Sequence, residues 1–237
     1  MSRTAELWPQ AVIDFARGAR IGLEEAVFCA HKQPAQIEQV LAQHDARGHP
    51  CLLTRLSPQQ HAALGDAWHA QLDYDPVSYT AFFRAPAPPA GPPQVAVVSG
   101  GSSDAPVCAE AARTLAFHGV ASRRFEDIGV AGLWRLMDRL EEIRAHPVVI
   151  AVAGMEGALF SVLGGLVGSL VIAVPSSVGY GVAAAGDLSL KSALASCAPG
   201  IVTVNIDNGY GAACAALRAL GIGGVRPGAA AAAACPG

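Results

Sequence analysis

The stretch from Val148 to Pro175, VVIAVAGMEGALFSVLGGLVGSLVIAVP, constrains the fold most, because it is long enough to cross a bilayer and carries one formal charge, Glu156. Glycines interrupt it, and β-rich strings at 148–152 and 170–174 begin and end it. This pattern predicts a strand, a glycine-bearing loop, a helix and a second strand in a parallel sheet covered on both faces. A membrane span stays open as the alternative, because glycine and a single carboxylate occur in some spans.

Composition and charge narrow the partners that the chain can have. Of its 237 residues, 52% are hydrophobic and 15% are charged, which suits a buried parallel sheet or an extensive subunit interface. The formal net charge is −3, so no basic field would steer nucleic acid or an anionic membrane towards the protein. The first ten residues lack the basic and apolar segments of a signal peptide, so we expect a cytoplasmic protein.

The first 85 residues differ in composition from the rest of the chain. Residues 1–85 are richer in charge, histidine and glutamine, and their pattern predicts a small α+β domain. The prolines of residues 86–93 predict a stiff linker, and residues 221–237 predict a frayed, low-complexity tail. Within the small domain we expect helices at 34–48 and 57–70 and strands at 51–56 and 77–84.

Residues 94–220 alternate short apolar strings with helical patterns. Each string leads into a small or polar loop, as expected where helices join parallel strands. The predicted fold class is therefore α/β, a parallel sheet flanked by helices and preceded by the small α+β domain. The expected strands are 95–99, about 121–125, 148–152, 170–174 and 201–206.

The loop GGSSDAP follows the first of these strands and precedes a helix. Free backbone N–H groups at the helix start, with the hydroxyls of Ser102 and Ser103, could cradle a phosphate. The loop matches neither G-x-x-x-x-G-K-[ST] nor G-x-G-x-x-G, so ATP-type and Rossmann-type sites lack their fingerprints. Asp104 is either a carboxylate of the site or the N-cap of the following helix.

Further loops follow strands at what should be the same edge of the sheet. Glu156 lies just past a strand, where open α/β sheets bind ligands; alternatively it only complements a helix dipole. Four such loops converging on one edge favour a ligand that carries phosphate, ribose and a flat ring. The other binding groups that these loops offer are Gly154, Met155, Ser176, Ser177, Gly179, Asn205, Asp207 and Asn208.

Six cysteines, at positions 29, 51, 108, 197, 214 and 235, form no C-x-x-C and no regular spacing, which argues against a zinc site and a disulfide framework. Cys197 lies at the end of a helix that should stop at Pro199-Gly200, and an electronegative helix end disfavours a thiolate. The helix should also carry it towards the amino ends of the strands. Cys197 is therefore either a core thiol or a nucleophile that serves a neighbouring subunit or needs a bend in the chain.

Together these motifs resemble the LarB family, which makes an intermediate of the nickel-pincer nucleotide cofactor of lactate racemase. The resemblance covers about residues 95–220 and is carried by SGGSSDAPV, EDIGVAG, VVIAVAGMEGALFSVLGGLV, VIAVPSSVGYG and SCAPGIVTVNIDNGYGAA. RIGLEEAVFCAHK is similar to that family's N-terminal segment. The C-terminal half is also similar, more loosely, to the carboxylase/mutase of purine synthesis that acts on aminoimidazole ribonucleotide, a three-layer octameric enzyme.

The LarB resemblance implies a pyridinium-3,5-dicarboxylate mononucleotide synthase. Such an enzyme carboxylates nicotinate adenine dinucleotide at C5 of the pyridinium ring with CO2 and hydrolyses its phosphoanhydride, releasing AMP. The family's nucleophilic cysteine matches Cys197. By the same resemblance, Glu156 acts near the ring as a base or positioning group. Ser103 and Asp104 contact the substrate or manage a proton, and Asp207 with Asn208 lines the pocket.

The resemblance implies CO2 as co-substrate and no tightly bound cofactor. Mg2+ could assist at the phosphoanhydride, although the sequence shows no dedicated metal-ligand cluster. A homo-oligomer, up to an octamer with active sites between subunits, is also implied. Two positions depart from the family pattern: Trp134 replaces a histidine in GVAGLWR, and Phe160 replaces a proline. Two other functions stay open, an aminoimidazole ribonucleotide carboxylase or mutase and a degenerate nucleotide-binding paralogue.

Overall fold

A computed structural model describes residues 11–222 as two regions, each with its own β-sheet. Residues 11–84 are called the N-terminal region and residues 95–222 the C-terminal region. Residues 85–94 between them contain neither helix nor strand. The expected tail lies outside the described residues except for its first two positions. The first ten residues also lie outside them, and the expectation of no signal peptide depends on those ten.

The N-terminal region is a small α+β unit, as the sequence predicts. Its elements are α1 (Arg17–Ile21), β1 (Ala26–Phe28), α2 (Pro34–Asp45), β2 (Cys51–Thr54), α3 (Pro58–Ala62), α4 (Asp66–His69), β3 (Leu72–Asp75) and β4 (Thr80–Phe83). The strand order is β1-β2-β4-β3, with β1 parallel to β2 and the other pairs antiparallel. Ile37 and Leu41 of α2 pack with Phe83 of β4 in the buried core.

Local sequence explains where this region departs from expectation. The capping box of Ser57 and Gln60 starts α3, as the predicted capped helix requires. The single helix expected at 57–70 is instead two short helices, because Gly65 adopts an extended conformation between them and becomes the N-cap of α4. Strands β1 and β3 were not predicted, since β1 has three residues and β3 contains two aspartates, which have low strand propensity.

The C-terminal region is a five-stranded parallel sheet flanked by helices, which confirms the predicted fold class. Its elements are β5 (Val95–Ser99), α5 (Ala105–Phe117), β6 (Ser122–Phe125), α6 (Leu133–Met137), α7 (Leu140–Arg144), β7 (Val148–Ala153), α8 (Ala158–Leu166), β8 (Leu170–Pro175), α9 (Asp187–Ala195), β9 (Ile201–Thr203) and α10 (Gly209–Ala219). The strand order is β6-β5-β7-β8-β9.

The long apolar run of the sequence forms β7, α8 and β8 at the centre of this sheet. Every residue of β7 is buried, because one core lies against α5 and α10 and another lies on the opposite face against α8 and α9. Such burial on both faces is what makes the strands read as continuous apolar strings. None of the helices between residues 11 and 222 is both long and apolar enough to cross a membrane.

The two regions pack on each other through α5. Arg113 of α5 donates to Thr80 Oγ1 at 2.9 Å and lies over the Phe82 ring, 3.9 Å from its centroid. The Phe82 and Phe117 rings meet with centroids 5.4 Å apart. These contacts place β4 against the second half of α5, while the loop before β4, with Ser78 and Tyr79, shares a cavity with Ser103 and the first turn of α5.

Candidate active site

Two adjacent cavities lie where the loops that follow the parallel strands meet. The larger has a volume of about 410 Å3 and lies among the loops after β5, β6 and β7. The smaller, of about 200 Å3, lies between the C-terminal loops and the N-terminal region. Both open beyond the carboxyl ends of the strands, the position at which open α/β sheets bind ligands.

The predicted site residues divide between these cavities. Ser103 lines both. The larger cavity is also lined by Ser102, Asp104, Gly154, Met155 and Glu156. The smaller cavity is also lined by Ser176, Ser177 and Asp207. The residues of the prediction that line neither cavity are Gly179, Cys197, Asn205 and Asn208.

Asp104 is the most buried acid of the larger cavity, with 3% of its surface exposed. Its Oδ2 accepts a hydrogen bond from the Gly101 N–H at 2.9 Å, and its Oδ1 is buried without a partner in the described chain. Burial raises the pKa of this carboxyl, while the bonds from Gly101 and Ser176 act in the opposite direction. Asp104 occupies the N-cap position of α5, as the alternative interpretation expects, but its side chain makes no capping hydrogen bond to that helix.

The loop between β7 and α8 carries Glu156 into the larger cavity. Gly154 packs directly against the backbone carbonyl of Val178, where a Cβ atom would collide, and Met155 N–H donates to that carbonyl at 3.0 Å. Met155 has a φ of 51°, in the left-handed region that few side chains adopt. These contacts hold the loop so that Glu156, an exposed residue, lines the cavity.

The larger cavity contains one pair of charged residues that sequence reasoning missed. Arg135 and Asp127 line it and form an ion pair at 3.0 Å. Asp127 has a φ of 52°, and its N–H donates to Ser99 Oγ at 2.9 Å. Arg135 is the only basic side chain in this lining, whereas three carboxylates, those of Asp104, Asp127 and Glu156, share it. The loop EDIGVAG was singled out in the sequence, but nothing in it signals which of its charges face the cavity.

The loops after β8 and β9 support each other. The Ser177 N–H donates to Asp207 Oδ1 at 2.8 Å, and Val178 N–H donates to Ser176 Oγ at 3.2 Å. Asn208 caps α10 by accepting from Gly211 N–H at 2.8 Å, and Asn205 accepts from the adjacent Ile206 N–H. The two asparagines therefore shape their loops, and neither lines a cavity.

The smaller cavity depends on contacts between distant parts of the chain. Arg55 Nε donates to Glu110 Oε1 at 3.0 Å, and Arg55 Nη2 donates to the carbonyl of Asp207. The Glu110 side chain is 4% exposed, and burial raises the pKa of its carboxyl although Arg55 opposes that shift. Arg55, Ser78, Tyr79 and Glu110 all line the cavity, and none was a predicted site residue.

Cys197 is exposed, unlike the buried Cys29, Cys51 and Cys108. Burial raises the pKa of the Cys29 thiol to about 12 and raises those of Cys51 and Cys108 as well, so these three are core thiols. Cys197 follows α9, which ends earlier than expected, at Ala195. It lies beside α8, because its neighbour Ser196 shares a hydroxyl hydrogen bond with Ser161 at 2.7 Å. Because Cys197 is exposed, it is not a core thiol of this chain. It also lines neither cavity of its own chain.

Trp134, which stands where the family pattern has a histidine, is 68% exposed at the start of α6 and lines neither cavity. Among residues 11–222, no group of three or more His, Cys, Asp or Glu side chains is arranged to hold a metal ion.

Known proteins resemble both regions of the chain. Residues 5–85 match the family described as LarB/PurE-like N-terminal domain, and residues 94–227 match the family described as AIR carboxylase. An uncharacterized protein of Methanocaldococcus jannaschii is 45% identical over 121 residues, which are 50% of this chain and 46% of that protein. The chain thus spans about half the length of the curated relative that it matches. A crystal structure of a Treponema denticola PurE2 variant is 24% identical, covers 56% of this chain and 82% of its own, and has a TM-score of 0.45.

Proposed function

The chain belongs to the LarB family, with a carboxyl-terminal domain of the AIR carboxylase type, and on this premise we propose that it carboxylates the pyridinium ring of nicotinate adenine dinucleotide. CO2 is added at C5, and hydrolysis of the phosphoanhydride releases AMP. The observation that carries the proposal is the lining of the larger cavity, where three carboxylates and one guanidinium surround about 410 Å3.

Charge complementarity supports this substrate. A pyridinium ring carries a fixed positive charge, which the carboxylates of Asp104, Asp127 and Glu156 would attract. The ring's 3-carboxylate needs a cation, and Arg135 is the basic side chain in the lining. Asp127 would hold the guanidinium in position through the 3.0 Å ion pair, while the remaining N–H groups of Arg135 bind the substrate carboxylate.

A nucleophile is required because a cationic ring carbon does not attack CO2. The Cys197 thiolate adds to the ring and gives a neutral dihydropyridine, in which C5 is the nucleophilic carbon of an enamine. A C5–CO2 bond then forms, a base removes the C5 proton, and the thiolate leaves as aromaticity returns. Glu156 is the base in this proposal, and Asp104, whose carboxyl pKa is raised by burial, lies beside the reacting ring as a second acid of the cavity.

In this proposal, Cys197 reaches the larger cavity from a second copy of the chain. The thiol is exposed and lines neither cavity of its own chain, so a neighbouring subunit would bring it to the larger cavity. Exposed apolar side chains near it, Leu194 and Val202, supply surface for such an assembly. The proposal is therefore a homo-oligomer with active sites between subunits.

A direct assay tests the chemistry. The protein is incubated with nicotinate adenine dinucleotide and carbon-13 bicarbonate, and products are identified by mass spectrometry. We expect AMP and a labelled dicarboxylated mononucleotide, with and without Mg2+ so that a metal requirement is measured rather than assumed. Folded protein that yields neither product contradicts the proposal. The match to the AIR carboxylase family also allows a carboxylase or mutase that acts on aminoimidazole ribonucleotide. Turnover of that compound in a parallel reaction would identify this activity instead.

Subunit mixing tests the shared site. Cys197→Ala and Glu156→Gln should each be inactive alone, because each removes one half of the site. After the two variants are unfolded and refolded together, random assembly should restore up to about a quarter of the wild-type activity. If Cys197 served its own chain, no mixed site would hold both groups and activity would stay absent.

A further inference from the structure

The smaller cavity is built by both regions and opens towards the larger one. Arg55, Ser78 and Tyr79 come from the N-terminal region, while Ser103, Glu110 and Asp207 come from the C-terminal region. We propose that this cavity binds the nucleoside monophosphate half of a dinucleotide, with the base on Tyr79 and the phosphate towards Arg55. The inference rests on the proposed function, and it assigns a ligand to the N-terminal region.

Shared residues connect the two cavities. Ser103 and Val178 line both of them, so the cavities meet at these residues. With a pyridinium ring in the larger cavity, the diphosphate would cross this boundary, where the hydroxyl of Ser103 can donate to a phosphate oxygen. The second nucleoside then enters the smaller cavity, which is the adjoining space.

Tyr79 is the aromatic residue in the lining of this cavity. The residue is 41% exposed, and its backbone φ of 54° is in the left-handed region. The Leu56 N–H donates to the Tyr79 carbonyl at 2.8 Å, which fixes the backbone of the loop in this unfavourable conformation. In the proposal, the Tyr79 ring stacks with a purine base.

Arg55 offers the positive charge. Its side chain is 36% exposed, and Glu110 and the Asp207 carbonyl hold it on one side. Both oxygens of Glu110 have partners, Arg55 Nε and the Tyr210 N–H at 3.2 Å, and Asp207 Oδ1 accepts from Ser177 N–H. Arg55 is the basic side chain in the lining of this cavity, and planar guanidinium donors match phosphate oxygens.

Backbone strain supports the assignment independently. Eight residues other than glycine have positive φ in the described chain, and five of them line one of the two cavities. Three of those five, Arg55, Tyr79 and Asp207, line the smaller cavity. Strained conformations of this kind persist where the surrounding structure holds a ligand-binding group in place.

Binding measurements on the full chain test the inference without any turnover. Calorimetry would give dissociation constants for AMP, nicotinate adenine dinucleotide and nicotinate mononucleotide. Tyr79→Ala should weaken AMP and dinucleotide binding about 5- to 100-fold, the range measured for loss of one base stack, and leave mononucleotide binding unchanged. Arg55→Lys should also weaken AMP and the dinucleotide, because it removes the planar donors but keeps the charge.

Two variants control for indirect effects. Tyr79→Phe keeps the aromatic face and should bind AMP as the wild type does. Phe28→Ala removes an exposed aromatic residue of β1 that lines neither cavity, and it should change none of the three constants. An equal loss of mononucleotide and dinucleotide binding in Tyr79→Ala would overturn the inference, because the effect would then reach the ring site.

Other outcomes separate this inference from the proposed function. If the wild type bound dinucleotide and mononucleotide equally well, the second half would contribute nothing and the assignment would be wrong. If the wild type carboxylated its substrate but Tyr79→Ala and Arg55→Lys bound AMP as the wild type does, the assignment of the smaller cavity would be wrong and the proposed function would stand. AMP binding that depends on Tyr79 in a protein that carboxylates nothing would uphold the assignment and reject the proposed function.

Discussion

The two cavities share Ser103 and Val178 but use their charged groups differently. In the larger cavity, one oxygen of Asp104 is buried without a partner and Glu156 is exposed. In the smaller cavity, Arg55 and Glu110 are bonded to each other and to backbone groups. A carboxyl with unused bonding capacity can exchange a proton, whereas groups with partners already hold structure together. On the functions proposed above, the larger cavity carries the chemistry and the smaller one binds the second half of the substrate.

The largest expected effect tests whether the larger cavity needs the Cys197 thiol, which does not line it. Cys197→Ala should lower kcat by at least about 1,000-fold, as loss of a covalent nucleophile does. The thermal unfolding midpoint should stay unchanged, because the thiol is exposed. Intact-mass measurement after incubation with NAD+, an amide analogue that can trap the ring adduct, should show added mass in the wild type and none in the variant. Undiminished carboxylation by Cys197→Ala would remove the sulfur from the mechanism.

A matched pair of glutamates tests the division of roles between the cavities. Glu156→Gln should lower kcat about 100- to 10,000-fold with little change in stability, because it removes a general base from an exposed position. Glu110→Gln should instead lower the free energy of unfolding, because it leaves the Arg55 guanidinium without its charged partner. Kinetics and urea unfolding on both variants give the comparison. If Glu110→Gln lowered kcat and Glu156→Gln lowered stability, the proposed roles of the two cavities would be wrong.

Arg135 tests whether the larger cavity distinguishes an acid from an amide. Arg135→Gln should reduce the preference for nicotinate over nicotinamide dinucleotide about 10- to 100-fold, the worth of one charge-assisted hydrogen bond pair. The ratio of the two dissociation constants measures this directly. Arg139→Gln removes a neighbouring arginine that pairs with Glu142 and lines neither cavity, so its ratio should match the wild type. If Arg135→Gln kept the wild-type ratio of dissociation constants, Arg135 would not be the group that binds the ring carboxylate.

The smallest effect concerns stability and pH at Asp104. Burial raises the pKa of this carboxyl in the folded state, so the native protein binds its proton more tightly than the unfolded chain does. This contribution to stability is full at low pH and is lost as pH rises from the unfolded value, near 3.8, through the folded pKa. Asp104→Asn should therefore gain stability relative to the wild type as pH increases, while activity falls. Urea unfolding at several pH values would show a constant difference if the carboxyl did not titrate in this way.

Much of the parallel sheet could be predicted because its strands are buried on both faces and read as apolar strings. The expected strand 95–99 matches β5 in both bounds. The strand expected at 201–206 ends at Thr203, because the chain then turns and the Asn205 side chain bonds the adjacent backbone N–H. In the N-terminal region, β1 and β3 are too short or too polar to stand out against loops.

The site could be predicted only where one loop carries its own signal. Ser103, Asp104 and Glu156 follow strands directly, so strand position alone brings them to the cavities. Arg55 was missed because its partners, Glu110 and Asp207, are 55 and 152 positions away in the chain. Such pairs arise from tertiary packing, and a single sequence contains no record of them.

Residues 85–94 form the one stretch of backbone that joins the walls of the smaller cavity. A short tether of this kind gives the two walls a high effective concentration. If the chain were cleaved within this stretch, the two halves would have to find each other by diffusion. Contacts such as Arg55–Glu110 and Phe82–Phe117 would then hold them together. Nucleotide capture would then depend on how much protein is present, as it does for a complex of two separate chains.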